Sequence, residues 1–313
     1  MASGKLPSTT AGIATSRRAW RATNRGAPAL GRESAFARNL RGLLLIGPPL
    51  VVMASLLLYP AGVSIVRTFQ ETDADGSVSW TLARYHRFFT DPYSVANYLR
   101  TVWTTAVTLA LLVAVCLPIA IYLHFTRSRL AAVVQALALF PMFVPGIIVA
   151  YALIRYIGPN GLMQTLLETI GLTFYKSPYL TPWGPVIGLV WDHMPLTLLI
   201  LTAGMAKVSQ EAIEAARDVG AGYITIFWRI ILPLISDSLL VVVALNVISL
   251  FGSFVIPYML GPASPEMMGP YMLRTFAEVR EPDFAAAQAV VTFLTCSVFG
   301  ILYVVMLTKR QDM

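Results

Sequence analysis

The sequence predicts an all-α, polytopic membrane protein with six transmembrane helices, and three observations carry that prediction. The 313 residues are 57% hydrophobic and only 12% charged, whereas soluble domains hold about 45–50% apolar and about 25% charged residues. Six apolar runs are each long enough to cross the hydrocarbon of a bilayer, about 30 Å, which takes about 20 residues of helix. One polar, amphipathic insertion, at about 207–233, separates the fourth run from the fifth. The chain divides accordingly into a basic tail, 1–41, and a six-helix membrane domain, 42–313.

The tail holds Lys5, Arg17, Arg18, Arg21, Arg25, Arg32, Arg38 and Arg41 against one acid, Glu33. It has no apolar core of its own and reads as a surface-lying or disordered segment. It lacks the short apolar run and small-residue cleavage site that follow the basic start of a signal peptide; an organellar transit peptide is a compositional alternative. A basic flank on a span needs only membrane lipid as its partner, so no nucleic-acid partner is expected.

The runs are roughly Leu43–Val66, Thr101–Phe125, Leu130–Ile154, Gly184–Ala206, Leu234–Ile256 and Phe284–Leu307. With the N-terminal side labelled inside, the inside segments hold 15 Lys and Arg and the outside segments 8. That excess places both termini, and the 207–233 insertion, in the cytoplasm.

Between the first two runs, Trp80, Tyr85, Phe88, Phe89 and Tyr93 read as interfacial anchors. Within the third run, Pro141 and Pro145 each remove a helix hydrogen bond and Gly146 follows, which predicts a kink or break. Broken spans are where transporters tend to place solute, and a merely structural kink is the alternative. Asn160-Gly161 predicts a turn, with a short interfacial helix over Leu162–Gly171. Met259, Met267, Met268 and Met272 cluster in the last outside segment and read as packing.

Cys116 and Cys296 lie inside apolar runs and read as small core residues. His86, His124 and His193 are scattered, and no His/Cys/carboxylate group has metal-ligand spacing. Asp192, in the run Trp191-Asp192-His193, is an acid inside the fourth span, roughly 12 Å below its outer end. An intramembrane acid is a functional candidate because burying it in lipid costs several kcal/mol. It faces a cation pathway, or it pairs locally with His193 or a partner subunit. Asp237, near the inner end of the fifth span, reads as structural.

The insertion carries the most specific signal. Ser209 suits an N-cap, and a short helix from Gln210 puts Glu211, Ala215 and Asp218 on one face with Glu214 beside them. Gly220, Ala221 and Gly222 break it. A second short helix is expected to show Ile224, Phe227, Trp228 and Ile231 on one stripe, and Pro233 suits the first turn of the next span. The order Glu214-Ala215-Ala216, three residues, Gly220, nine residues, then Ile230-x-Leu232-Pro233 resembles the EAA loop of ABC-transporter permeases.

That resemblance extends over most of 43–307 and implies the type I ABC importer permease fold. The Asn160-Gly161 turn and the run Gly252-Ser253-Phe254-Val255-Ile256-Pro257 look like the spermidine/putrescine branch, which also includes iron, thiamine, phosphonate and opine systems. Ser253 stands where polyamine permeases often carry Asp, a departure from that substrate; sugar-type permeases usually place Asp where this chain has Val219. The resemblance implies a bacterial inner-membrane machine of two ATP-binding subunits, a second permease subunit and an extracytoplasmic solute-binding protein. In it the ATPase-coupling residues are Glu211, Glu214, Ala215, Ala216, Asp218, Gly220, Ala221, Ile230, Leu232 and Pro233. Asp192, Trp191, Pro145, Ser253 and Phe254 are the candidates for the substrate pathway.

The chain has no G-x-x-x-x-G-K-[ST] loop to cradle phosphates and no nucleophile–base motif. ATP and Mg are therefore expected on the partner ATPase, this chain is expected to bind no cofactor or metal, and it is not expected to be an enzyme. An ion-coupled secondary transporter centred on Asp192, and a non-transport membrane scaffold, are the alternative classes.

Overall fold

A helix satisfies its own backbone hydrogen bonds, which is the condition for crossing lipid. The computed structural model describes residues 35–72, 75 and 77–311; most of the predicted basic tail lies outside them. Among the described residues, six helical stretches are long and apolar enough to cross a membrane: Leu44–Thr68, Pro92–Phe125, Gly146–Thr169, Trp183–Met205, Tyr223–Phe251 and Pro282–Met306. The chain forms two units, Met1–Ala61 and Gly62–Met313. In the first, α1 (Ala35–Met53) runs into a π-helical turn, Ala54–Leu58. From there α2 (Tyr59–Thr68) carries the chain across the division.

The second unit is helical apart from an antiparallel hairpin, β1 (Gln70–Thr72) and β2 (Val78–Trp80), with Glu71 opposite Ser79. A short amphipathic helix, α3 (Ala83–Thr90), precedes α4 (Pro92–Phe125), the second span. Asp91 caps α4, its carboxylate accepting from the N–H groups of Tyr93 and Ser94, and Pro92 suits the first turn.

The third apolar run is not one helix. It splits into α5 (Arg129–Leu139), a 3₁₀ turn (Phe140–Phe143) and α6 (Gly146–Ile157). Val144 and Pro145 are extended between them, because the residue before a proline is driven out of the helical region. The break expected from Pro141 and Pro145 is thus complete. Asn160, at φ +55°, makes the next turn, and the short helix α7 spans Leu162–Thr169. Tyr175 and Ser177 hydroxyls both donate to the Ile157 carbonyl, at 2.8 and 2.7 Å, and fasten the loop back to the end of α6.

The fourth span is α8 (Trp183–Met205) and the candidate coupling helix is α9 (Gln210–Asp218). The second helix of the insertion, expected to stand apart, instead continues into the fifth span. Here α10 (Tyr223–Ile226), a π-helical turn (Phe227–Ile231) and α11 (Leu232–Phe251) form one rod. The cause is Pro233, which offers no N–H and crowds the carbonyl four residues back. The preceding turn widens, so that the Leu232 N–H reaches the Phe227 carbonyl. The Ala54–Leu58 turn before Pro60 repeats this device, with the Tyr59 N–H reaching Ala54.

The fifth helix ends at Gly252, short of Ile256, and α12 (Val255–Leu260) follows the break at 252–254. The chain closes with α13 (Met268–Ala277) and α14 (Pro282–Gln311), the sixth span.

Lipid is as apolar as the side chains, so spans associate through close approach and polar pairs rather than through hydrophobic burial alone. Gly184 shows the close approach: a Cβ there would stand 2.3 Å from the Leu260 carbonyl oxygen. Gly204 does the same against Ser238. The principal apolar cluster joins Leu112, Cys116 and Ala120 of α4 to Leu198, Leu201 and Met205 of α8, and to Ile235 and Val242 of α11. Cys116 is buried there, as expected of a core thiol.

Candidate functional site

The candidate coupling helix is short, so its shape depends on its ends. Ser209 caps it as expected, its hydroxyl oxygen accepting from the Ala212 N–H at 3.2 Å. At the other end Gly220 takes φ +84°. The Gly220 N–H donates to the Arg217 carbonyl at 2.8 Å and the Ala221 N–H to Ala216 at 2.9 Å, the two bonds of a Schellman closure.

One side chain roots the helix in the membrane domain. Ile213 is 4% exposed and belongs to the same cluster as Met205, Val208, Ile226 and Ile235, with Ala216 and Ala221 packed against it. The opposite face is open: Glu211, Glu214, Ala215 and Asp218 are all exposed. Gln210 Nε2 donates to Glu214 Oε1 at 2.9 Å and orients that carboxylate. Asp218 sits in the last turn of α9, where the helix dipole disfavours an acid by about 0.3–1 kcal/mol. The loop is braced at its base by Lys207 Nζ on Asp237 Oδ2 at 2.9 Å, and by His124 Nε2 on the Val208 carbonyl at 2.9 Å. Ile230 and Leu232 are half-buried and Pro233 is exposed.

The expected stripe of the second helix is corrected. Ile226 and Ile231 face the core, whereas Ile224 and Trp228 are 77% and 62% exposed. Ile224 points out because Ile226, on the opposite side of the short helix, is the residue that faces the core; the π turn then shifts the angular phase of every residue after 226, which keeps Ile231 inward and leaves Trp228 outward. Val219, at 85%, and Tyr223, at 81%, join them as exposed apolar residues beside the acidic face. Such a patch with a polar rim marks an interaction surface. Sequence reading missed both the Ile213 root and this patch.

In the membrane domain the structure gathers two of the five pathway candidates. Asp192 Oδ2 lies 3.4 Å from His193 Nδ1, so the local neighbour foreseen for Asp192 is present. His193 Nε2 lies 3.2 Å from Ser249 Oγ on the fifth span, and Ser253 Oγ donates to the Ser249 carbonyl at 3.0 Å. One turn back along the fifth span, Asn246 Nδ2 donates to Thr197 Oγ1 at 3.1 Å. The result is a polar track between the fourth and fifth spans that runs to the 252–254 break. Ser249, Thr197 and Asn246 escaped sequence reading because single polar residues in apolar runs carry no local pattern. Phe254 stacks on Tyr258, centroids 5.3 Å apart. Trp191 is half-buried and Pro145 is exposed at the break before α6; no hydrogen bond or ring contact among the described residues joins either to the track.

At the end of the spans opposite the insertion lies a second polar assembly. Arg84 pairs with Asp283 at 3.3 Å and Arg87 with Glu281 at 2.7 Å. Arg274 pairs with Glu266, which also accepts from the Tyr93 hydroxyl at 3.2 Å. Asn97 Oδ1 accepts from the Glu266 N–H at 2.9 Å and Thr101 Oγ1 from the Met268 N–H at 2.8 Å. Burial, with the Glu278 charge adding to it, pushes the Glu266 carboxyl up to about 7 despite the neighbouring guanidinium. No group of three or more His, Cys, Asp or Glu among the described residues is placed to hold a metal ion.

The family described as "Binding-protein-dependent transport system inner membrane component" matches residues 106–312. The chain is 26% identical over 227 residues to the spermidine/putrescine transport system permease protein PotB of Haemophilus influenzae, over 68% of this chain and 79% of that protein. It is 24% identical over 205 residues to the molybdenum transport system permease protein ModB of Azotobacter vinelandii, over 66% and 89%. Its fold matches a chain of a bacterial alginate ABC transporter, crystallised with alginate pentasaccharide-bound periplasmic protein. The TM-score is 0.70 at 16% identity, over 85% of this chain and 94% of that one. The mainly helical architecture with six candidate spans is thus the ABC permease fold, and family membership decides against the secondary-transporter and scaffold alternatives. This chain belongs to the inner-membrane components of binding-protein-dependent ABC importers.

Proposed function

We propose that this chain is one of two permease subunits of an ATP-driven importer for a small polar solute, an amine of polyamine type, in a bacterial inner membrane. Two copies of an ATP-binding subunit hold ATP and Mg and dock on the insertion; an extracytoplasmic binding protein delivers the solute. Both termini and the insertion lie in the cytoplasm, in keeping with the charge excess there.

The observation that carries the reading is the coupling helix: capped, closed and rooted by Ile213, yet open along Glu211, Glu214, Ala215 and Asp218 beside exposed Val219 and Tyr223. A helix held rigidly by its root and free on its polar face suits the transmission of a partner's movement to the spans. Gly220 sets its end, and the unbroken rod through Ile230, Leu232 and Pro233 links it to the fifth span.

Within the importer class the amine reading is supported by two facts. One relative with this spread of similarity is a spermidine/putrescine permease. The fourth span holds Asp192, and 183–205 and 232–251 hold no Lys or Arg, which suits a cation better than an oxyanion; Asp237 is taken up by Lys207 at the base of the insertion. Opine, phosphonate, thiamine, iron or sugar transport is the alternative within the same machine. The pathway is assigned to the track of Asp192 and Ser253, with Trp191, Pro145 and Phe254 at its margins.

The test is ATP-dependent uptake of radiolabelled spermidine by proteoliposomes holding the complex assembled from the neighbouring transporter genes. Uptake that needs both ATP and the binding protein supports the proposal. Binding-protein-stimulated ATP hydrolysis without amine uptake keeps the machine and overturns the substrate.

A further inference from the structure

We propose that His193 and Ser249 are positioning residues that hold the Asp192 carboxylate as the acceptor for a solute ammonium group. The proposal rests on the amine-importer reading above.

Asp192 lies nine residues into the fourth span, roughly 13 Å along the helix, and its side chain is 34% exposed. The described residues give it no Lys or Arg at ion-pair distance; its one charged or chargeable neighbour is His193. An acid at that depth, on the helix face that also exposes Leu196 one turn on, is not stable against lipid tails. That face must meet water, a solute or another subunit.

His193 joins Asp192 to the fifth span by geometry: its Nδ1 lies 3.4 Å from Asp192 Oδ2, and its Nε2 shares a hydrogen bond with the Ser249 hydroxyl at 3.2 Å across the two spans. His193 is buried, 8% exposed, so it cannot exchange this partner for bulk water. The arrangement turns one carboxylate oxygen toward the imidazole and leaves the other for an N–H donor from outside the chain. A second hydroxyl one turn on, Ser253 at the 252–254 break, its Oγ donating to the Ser249 carbonyl, favours a travelling solute over a single fixed side chain of a partner subunit. A fixed ion pair would need one contact and no track.

The experiment uses the full assembled transporter in proteoliposomes with radiolabelled spermidine, comparing Asp192→Asn, Ser249→Ala, His193→Ala and His193→Gln. The expected results are a rise in KM of ten-fold or more for Asp192→Asn, and a rise of about three- to ten-fold with kcat retained for Ser249→Ala and His193→Ala. His193→Gln, which keeps a donor toward Asp192, returns KM to within about two-fold of the parent. A parent that imports spermidine, with Asp192→Asn and Ser249→Ala unchanged in KM, overturns the proposal and leaves the amine reading standing. A parent that imports no amine removes the amine reading and this inference together. Loss of the complex on size exclusion for Asp192→Asn, with unaltered KM in what assembles, overturns it in favour of an inter-subunit ion pair.

Discussion

The Ala221 N–H reaches back to the Ala216 carbonyl at 2.9 Å, and Gly220 between them turns at φ +84°. A side chain at position 220 would meet nothing within 4 Å, so the demand for glycine is conformational and not steric packing. Left-handed backbone costs a non-glycine residue roughly 1–2 kcal/mol. Gly220→Ala is therefore expected to loosen the end of the candidate coupling helix by about that much. Amide hydrogen exchange of 216–221 should speed up about five- to thirty-fold, while exchange in the spans stays as it was. Unchanged protection at Ala221 would show that the closure does not depend on Gly220.

Ile213 and Glu214 are neighbours with opposite surroundings, one in the core and one outside, so their substitutions separate rooting from docking. Glu214→Lys is expected to leave thermal stability within about 0.5 kcal/mol, as exposed positions do. It is expected to abolish co-purification with the ATP-binding subunit or uncouple its hydrolysis from uptake. Ile213→Ala removes buried methyl groups and is expected to cost about 2–4 kcal/mol, seen as a lower Tm of the isolated permease. Normal ATP-driven uptake by Glu214→Lys would remove it from the contact with the ATPase.

The Glu266 carboxyl supplies a pH signature. Its folded value, about 7, lies above the ordinary 4.5 because of burial first and the Glu278 charge second. The folded protein thus holds a proton that the unfolded chain releases, and stability falls as pH rises from about 4.5 to about 7, then levels off. The expected loss is on the order of 1–3 kcal/mol. Glu266→Gln keeps the shape without the titration. The difference in Tm between parent and variant should therefore widen from pH 5 to pH 8, the parent becoming the less stable. A constant difference across that range would mean that Arg274 compensates the charge fully.

Much of this was legible in the sequence because it is written in local patterns. Ser209, Gly220 and Pro233 act on the backbone within one turn, and the cap, the closure and the helix start all sit where those residues stand. Pro141 and Pro145 likewise foretold the broken third run. The misses are of another kind. The π turn at Phe227–Ile231 comes from Pro233 acting backwards on a helix whose local pattern is regular, and it shifts Trp228 outward while Ile231 stays in the core. The pairing of His193 with Ser249 and of Thr197 with Asn246 joins spans about fifty residues apart, which no window along one helix contains. Arg84 and Arg87, on the helix before the second span, pair with Asp283 and Glu281 nearly two hundred residues on, which again no local window contains.

That last assembly permits a comparison of two bonds by magnitude. Arg87 and Glu281 make the shorter contact, 2.7 Å, but their side chains are 55% and 38% exposed, and exposed pairs are worth about 0–1 kcal/mol. Arg87 also lies over the Phe284 ring at 4.3 Å, which survives loss of the acid. Asn97 is fully buried, and its Oδ1 is the acceptor for the buried Glu266 N–H at 2.9 Å. Deleting it leaves that donor unmatched, at about 1–3 kcal/mol. Asn97→Ala is therefore expected to destabilise the protein more than Glu281→Ala, by about 1 kcal/mol or more, in parallel thermal melts. Raising the salt concentration should shrink the effect of Glu281→Ala and leave that of Asn97→Ala in place, since screening reaches exposed charges and not a buried amide. The reverse order would mean that the surface ion pairs, and not the buried side chains of the second span, hold the 266–271 segment.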